Sequence, residues 1–473
     1  MPGSEPLWAS GPGSAPRAPV SEAGSDPADP ASAAGEQANL GLRLADLSIR
    51  FWGLLVVTGV AAGLGAMAMM GVLRAVEHAA FGYHSGGYSA AAARSGDVRV
   101  VVVLAIGGLV TGVGLWLMRR SGGLGGEPTQ VVWSGSGKLS LLRTLASGAL
   151  SEVTVGMGAS LGREGAPQHT GAACGDALGR WFRVPTQQRT LLIACGAGAG
   201  LAAVYNVPLA GALFTLEIYL GTVSIGLVLP ALLAAGIATA VAWITLPNHA
   251  VYSVPHVPNP TLAVMVFAVL IGPVIGLGST VYLRSIAWAR SHQPKGRLLL
   301  VEPLVVFTLL GLLAVKYPLL LGNGIDLAQF AFVGTAGAVM FLALTVLKPV
   351  VTTACLRSGA YGGLFTPTLS FGAALGALAG HLWSAAWPGA PDASYVAIAA
   401  AAMLAGALKA PITGTAFVLE LTRSTAGIMA PIVIAVVGAT LVARHLDQRS
   451  LYTAHGPAVA GSPPDTGPDP GDR

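Results

Sequence analysis

Hydrophobic residues along this chain fall in long blocks separated by short polar or Gly/Pro-rich breaks. Phe51–Leu73, Val100–Met118, Thr190–Leu216 and Leu327–Leu347 each run without Asp, Glu, Lys or Arg. As helices rising about 1.5 Å per residue, each is long enough to cross about 30 Å of hydrocarbon. Ile218–Leu283 is free of the same four residue types, but Pro247-Asn248-His249 through Pro260 divides it into at least two blocks. Inside a bilayer, helices that satisfy their own backbone hydrogen bonds are the structure such blocks can form. The pattern therefore predicts an all-α polytopic membrane protein.

Composition agrees. Of 473 residues 53% are hydrophobic and 10% charged, and the mean hydropathy is +0.68, far from the charged surface of a soluble domain. The net charge of +5 does not point to nucleic acid, because the basic residues sit in short clusters between apolar runs. Arg43/Arg50, Arg119/Arg120, Lys138/Arg143, Arg180/Arg183/Arg189 and Arg444/Arg449 read as juxtamembrane charges. Cys174, Cys195 and Cys355 lie in apolar segments without CxxC spacing, so they read as buried free thiols and not as a disulfide framework or a zinc site. Residues 1–40 and 457–473, rich in Pro, Gly, Ala and Ser or Asp, read as disordered tails, the first lacking the pattern of a signal peptide.

An internal repetition is more informative. Pro208-Leu-Ala-Gly211-Ala-Leu-Phe214-Thr-Leu-Glu217 returns as Pro411-Ile-Thr-Gly414-Thr-Ala-Phe417-Val-Leu-Glu420, so P-x-x-G-x-x-F-x-x-E occurs twice. Pro167, Gly171, Gly175 and Gly179 are spaced like Pro367, Gly372, Gly376 and Gly380. The chain thus reads as two halves of one design, residues 41–250 and 251–456. Glycine at every fourth position clears one helix face for close approach in lipid. Duplicated membrane halves with interrupted helices are what transporters use to build a midplane site; the motifs alone leave parallel and inverted repeats both open.

Within the first half, Gly162-Arg163-Glu164-Gly165-Ala166-Pro167 sets two charges in an apolar stretch between glycines and a proline. A helix broken there exposes N–H groups whose partial positive charge suits an anion or a carboxylate. Glu164 can fill that site itself, and when it is displaced or protonated a halide-sized anion can replace it. An intramembrane charge is costly and usually functional, so this reading outweighs a carboxylate that merely pairs with Arg163 or caps a helix. The matching breaker of the second half, Gly362-Gly363-Leu364-Phe365-Thr366-Pro367, holds no charge; the amides of Leu364 and Phe365 can still donate, weakly enough to let an ion leave. Tyr452, close to the end of the apolar region, offers a phenol.

With these motifs in view, the chain resembles the CLC chloride channels and chloride/proton antiporters of the prokaryotic type, without cytosolic CBS domains, over roughly Ala45 to His455. The resemblance rests on Gly162-Arg163-Glu164-Gly165, Gly363-Leu364-Phe365-Thr366-Pro367, Tyr205-Asn206-Val207-Pro208-Leu209-Ala210-Gly211 and Leu451-Tyr452. It implies two inverted-topology repeats with broken helices, roughly eighteen helices in all, in a homodimer with one pore per subunit. It also implies Glu164 as the gating glutamate, with Leu364, Phe365 and Tyr452 at the central anion. Gly122-Gly123-Leu124-Gly125-Gly126-Glu127 aligns with the family's G-S-G-I-P-E, so the resemblance puts Gly123 among the anion-binding positions, where a serine hydroxyl is expected, and anion selectivity is left open. Where proton-exchanging members carry a second acid after the glutamate of the repeated segment, this chain has Ile218 after Glu217, and proline follows Gly165 by two positions instead of one.

The expected function is transport of chloride or a similar small anion across the plasma membrane, with both termini cytoplasmic, no cofactor or metal and no enzymatic chemistry. No Ser/His pair, Asp dyad or HExxH lies in the apolar segments. A proton-coupled antiporter with a non-standard internal proton route, or a carrier of fluoride or nitrate, is the alternative. Glu217 and Glu420 read as structural caps, with a proton role for Glu217 as the sharper possibility. His169 reads first as a packing residue that could also help protons, and His249 and His256 as solvated.

Overall fold

A computed structural model describes residues 47–254, 260–334, 336–388, 392–423 and 426–452. The predicted tails and His256 lie outside the described residues, and all statements of absence refer to these segments. They form seventeen α-helices and no strand. The first half holds α1 (Ile49–Phe81), α2 (Tyr88–Arg94), α3 (Asp97–Arg120), α4 (Pro128–Ser134), α5 (Leu141–Gly156), α6 (Gly165–Trp181), α7 (Thr186–Tyr205), α8 (Pro208–Phe214) and α9 (Ile225–Ala242). The second holds α10 (Leu262–Ser291), α11 (Leu298–Lys316), α12 (Ile325–Val333), α13 (Ala338–Arg357), α14 (Phe365–Ala386), α15 (Asp392–Leu408), α16 (Pro411–Thr422) and α17 (Met429–Leu446). Apart from α2, the elements of the halves pair in order. Eight helices are long and apolar enough to cross a membrane.

Two of the expected continuous spans are broken. Thr190–Leu216 divides between α7 and α8 because Asn206 takes a left-handed conformation (φ 56°) and Pro208, at the first position of α8, has no N–H to continue the ladder. A π-helical turn, Thr215–Leu220, then extends α8. Leu327–Leu347 is divided by Gly334, left-handed at φ 67°, which ends α12 before α13 begins. Cys174 is only partly buried, unlike Cys195 and Cys355, and all three are free thiols.

Two contacts establish that the repeats are inverted. Gly162 and Gly363 form an isolated antiparallel bridge, each N–H donating to the other's carbonyl at 2.6 and 2.8 Å. Glu217, beyond the end of α8, accepts the amides of Ile412 (3.1 Å) and Thr413 (2.6 Å) at the start of α16. Glu420, in α16, accepts those of Leu209 (3.1 Å) and Ala210 (2.6 Å) at the start of α8. Each segment places its far end at the other's beginning, so equivalent segments run antiparallel.

The middle of the molecule is formed by α7 and α15, which are hydrophobic all round: Ala393–Leu408 of α15 and Thr190–Tyr205 of α7 are buried. They pack against α6 and α14, the two helices that start at the breakers. Where α6 crosses α7 the backbones touch. A Cβ on Gly196 would come within 2.2 Å of the Gly171 carbonyl, and one on Gly171 within 2.1 Å of the Gly196 carbonyl. This contact fixes where the start of α6 lies.

Candidate anion site

The bridge between Gly162 and Gly363 brings the starts of α6 and α14 together, although Glu164 and Phe365 are 201 residues apart in sequence. Glu164 precedes the first turn of α6, and its carboxylate does not cap that helix. It crosses to the other half. Oε1 accepts the Phe365 amide at 2.6 Å, the first N–H of α14. Oε2 accepts the Tyr205 hydroxyl at 2.8 Å and the Thr366 hydroxyl at 3.0 Å. The two hydroxyls are also within hydrogen-bond reach of each other, so with one hydrogen apiece they make two of these three contacts at a time. The carboxylate thus occupies the electropositive start of a helix from the opposite repeat, where three donors converge.

Glycine is required on both sides of this carboxylate. A Cβ on Gly162 or Gly363 would come within 2.1 or 2.2 Å of Glu164 Oε1, so any side chain there would push the carboxylate off the Phe365 amide. Arg163 lies over the Tyr205 ring, 5.2 Å from its centroid, and its buried Nε has no hydrogen-bond partner. Its charge thereby adds positive potential near the site without neutralising Glu164 through a direct ion pair.

Glu164 is 1% exposed and lies between two cavities. The larger, about 840 Å³, is bordered by Arg163, Tyr205, Glu77 and Asp326. The smaller, about 40 Å³, is bordered by Gly165, Leu364, Phe365 and Tyr452, with Glu127 and His169. The residues on either side of this carboxylate thus border different cavities: Arg163 and Tyr205 the larger, Gly165 and Phe365 the smaller.

Of the residues singled out from sequence, Glu164, Gly162, Arg163, Gly165, Gly363, Leu364, Phe365 and Tyr452 come together here. The Tyr452 hydroxyl donates to Gln168 Oε1 at 3.2 Å, and its ring packs on Phe214, 5.4 Å between centroids. Pro367, in the first turn of α14, is buried. Gly123 is not among the residues bordering the inner chamber; its amide is spent on the Met118 carbonyl at 2.9 Å, and open space surrounds its Cα. Ile218 is buried in the π-helical turn, and Glu217 is engaged with the start of α16. Sequence reasoning missed Tyr205 and Thr366 as donors to Glu164. Thr366 sits inside the second breaker and Tyr205 at the end of α7, just before the turn at Asn206, and a hydroxyl adjoining a helix break was the available signal.

Comparison with known proteins agrees with this geometry. Residues 127–444 match the family model described as voltage gated chloride channel. A putative chloride channel protein, ClcB-like, of Ralstonia nicotianae is 32% identical over 412 residues, covering 83% of this chain and 94% of that protein. The H(+)/Cl(-) exchange transporter ClcA of Cronobacter sakazakii is 32% identical over 313 residues, 63% of this chain and 66% of its own length. Among solved structures, a slow cyanobacterial Cl-/H+ antiporter superposes with a TM-score of 0.75 at 21% identity, covering 86% of this chain and 97% of the antiporter. A CLC-type fluoride/proton antiporter does so with 0.71 at 22%, covering 87% and 99%. With the inverted repeats and the paired helix starts, these matches show that the chain belongs to the voltage gated chloride channel, or CLC, family.

Proposed function

We propose that this protein carries chloride, or an inorganic anion of similar size, across the bilayer, and that the Glu164 carboxylate is a gate competing with the anion for one site. The observation that carries the reading is the seating of Glu164 on the Phe365 amide and the Tyr205 and Thr366 hydroxyls, between two cavities. When the carboxylate leaves, the Phe365 amide and one of the two hydroxyls lose their acceptor, at about 1–3 kcal/mol each if nothing replaces it. A permeating anion supplies that acceptor, so carboxylate and ion exchange at nearly equal energy. The donors carry no full charge, which keeps the bound ion able to leave.

In this reading Leu364 and Phe365 line the anion path with their amides and Tyr452 with its hydroxyl, while Gly123 contributes nothing direct. Tyr205 and Thr366 supply the hydroxyls that Gly123 lacks. The relatives named for chloride and for H(+)/Cl(-) exchange favour chloride as the ion, with proton exchange through Glu164. The protein acts as a carrier and not as an enzyme, as a homodimer with one path per chain in the plasma membrane. An apolar surface built jointly by α8, α16 and α17, with Leu209, Ile412 and Val433 exposed, suits the subunit contact.

The test is efflux from chloride-loaded proteoliposomes. The wild-type protein is expected to dissipate the gradient and Glu164→Gln to change the rate several-fold, with a smaller change for Tyr205→Phe. Absence of halide flux in wild-type vesicles would overturn the reading, as would identical rates with Glu164→Gln.

A further inference from the structure

The inner chamber carries more titratable chemistry than the passage of an anion requires. On its wall His169 Nε2 lies 3.8 Å from the Glu127 carboxylate, and Nδ1 lies 2.5 Å from the Tyr361 hydroxyl, ring against ring in an edge contact. These groups come from separate places: His169 from α6, Glu127 from the residue before α4, Tyr361 from the residue before the second breaker. The other charged group on this wall is Arg290 of α10, which donates to the Leu451 carbonyl at 2.9 Å. Glu127 and Arg290 are the charged groups whose fields act on His169. No carboxylate other than Glu127 borders the chamber among the described residues.

A packing histidine needs one hydrogen bond; this one has an acceptor acid near one nitrogen and a hydroxyl on the other, and it faces the chamber that Glu164 closes. The chamber has room for a few waters or one small ion, since a water needs roughly 10–15 Å³ by this measure. Glu127, Nε2, Nδ1, the Tyr361 hydroxyl and chamber water therefore form a chain of groups that can pass a proton.

We propose that His169, backed by Glu127, is the group through which Glu164 exchanges protons with the inner side. A proton on Glu127 passes to Nε2 through one water across the 3.8 Å gap, giving an imidazolium, and Nδ1 then gives its proton to the Tyr361 oxygen as the Tyr361 hydrogen leaves. The Tyr361 hydrogen passes to chamber water, and the water gives a proton to the Glu164 carboxylate once that has left the Phe365 amide. Each bond to hydrogen that breaks is matched by one that forms, and the imidazole ends in its other tautomer. Glu127 faces the imidazolium that forms transiently and stabilises it. The proposal rests on the reading of Glu164 as a carboxylate that leaves its seat.

The experiment records anion efflux and proton uptake together, in proteoliposomes of the full chain under a valinomycin clamp. Wild-type protein is expected to move protons with anions, and His169→Gln and Tyr361→Phe to lower the proton-to-anion ratio by roughly ten-fold or more. Glu127→Gln is expected to lower it as far, since in these steps the proton enters through that carboxyl. The residual anion flux in the same vesicles shows that each variant is folded. A wild-type ratio in both His169→Gln and Tyr361→Phe overturns the proposal, as does anion flux without protons in the wild type. Glu164→Gln in the same assay separates the two readings: unchanged anion flux there defeats the gate itself, whatever His169 does.

Discussion

Glu217 and Glu420 hold each other's helices: each accepts two amides at the start of the segment that carries the other, at 3.1 and 2.6 Å in both cases. The pair exists because the repeats are inverted, and it clamps α8 to α16. Removing either carboxylate leaves two helix-start donors without a partner. Glu217→Ala and Glu420→Ala are each expected to lower stability by about 1–2 kcal/mol, and Gln at either position by less, because its carbonyl still accepts. Thermal unfolding in detergent checks this. Equal midpoints for wild type and both Ala variants would show the caps to be idle.

The crossing of α6 over α7 positions the Glu164 turn. Because Gly196 and Gly171 meet backbone to backbone, Gly196→Ala must push the helices apart and is expected to cost about 1–3 kcal/mol or more. Gly53→Ala, with nothing within 4 Å of the added methyl, is the control and should leave the unfolding midpoint unchanged or raised. A harmless Gly196→Ala would contradict the close crossing.

Tyr452 reaches the inner chamber on a short segment after α17, and Asp447 ties that segment down. Its carboxylate accepts from Arg449 at 2.7 and 3.0 Å and lies 3.5 Å from Arg284. The hydrogen bonds from Arg449 hold its pKa down to about 2, from an ordinary 3.8. The folded-state value is depressed, so this stabilisation is present in full above the ordinary value and is lost as pH falls through about 2. Between pH 4 and 8 the tie is constant. Asp447→Asn should therefore change the transport rate without moving the midpoint of any acid response above pH 4. A shifted midpoint would contradict it.

Much of this arrangement is legible in the sequence, for physical reasons. Lipid leaves charges so expensive that Arg163 and Glu164 stand out against their surroundings, and the broken helices announce themselves by glycine and proline. The duplication shows in Pro208-x-x-Gly211 and Pro411-x-x-Gly414. The direction of the second half relative to the first is not legible, because the bridge from Gly162 to Gly363 and the exchanged caps are long-range contacts. For the same reason Tyr205 and Thr366 are hidden: hydroxyls are common, and only the fold brings these two to one carboxylate. Thr190–Leu216 misleads because an apolar run records burial, and the chain turns at Asn206 without any charge to mark it.

The central claim is that the Glu164 carboxylate and a permeating anion exclude each other at the start of α14. Anomalous scattering from crystals soaked in bromide measures that directly. Glu164→Ala is expected to show a bromide ion within hydrogen-bond reach of the Phe365 amide and the Tyr205 hydroxyl, where wild-type crystals at neutral pH show the carboxylate and no bromide. Bromide at that point in both proteins, or in neither, would contradict the account.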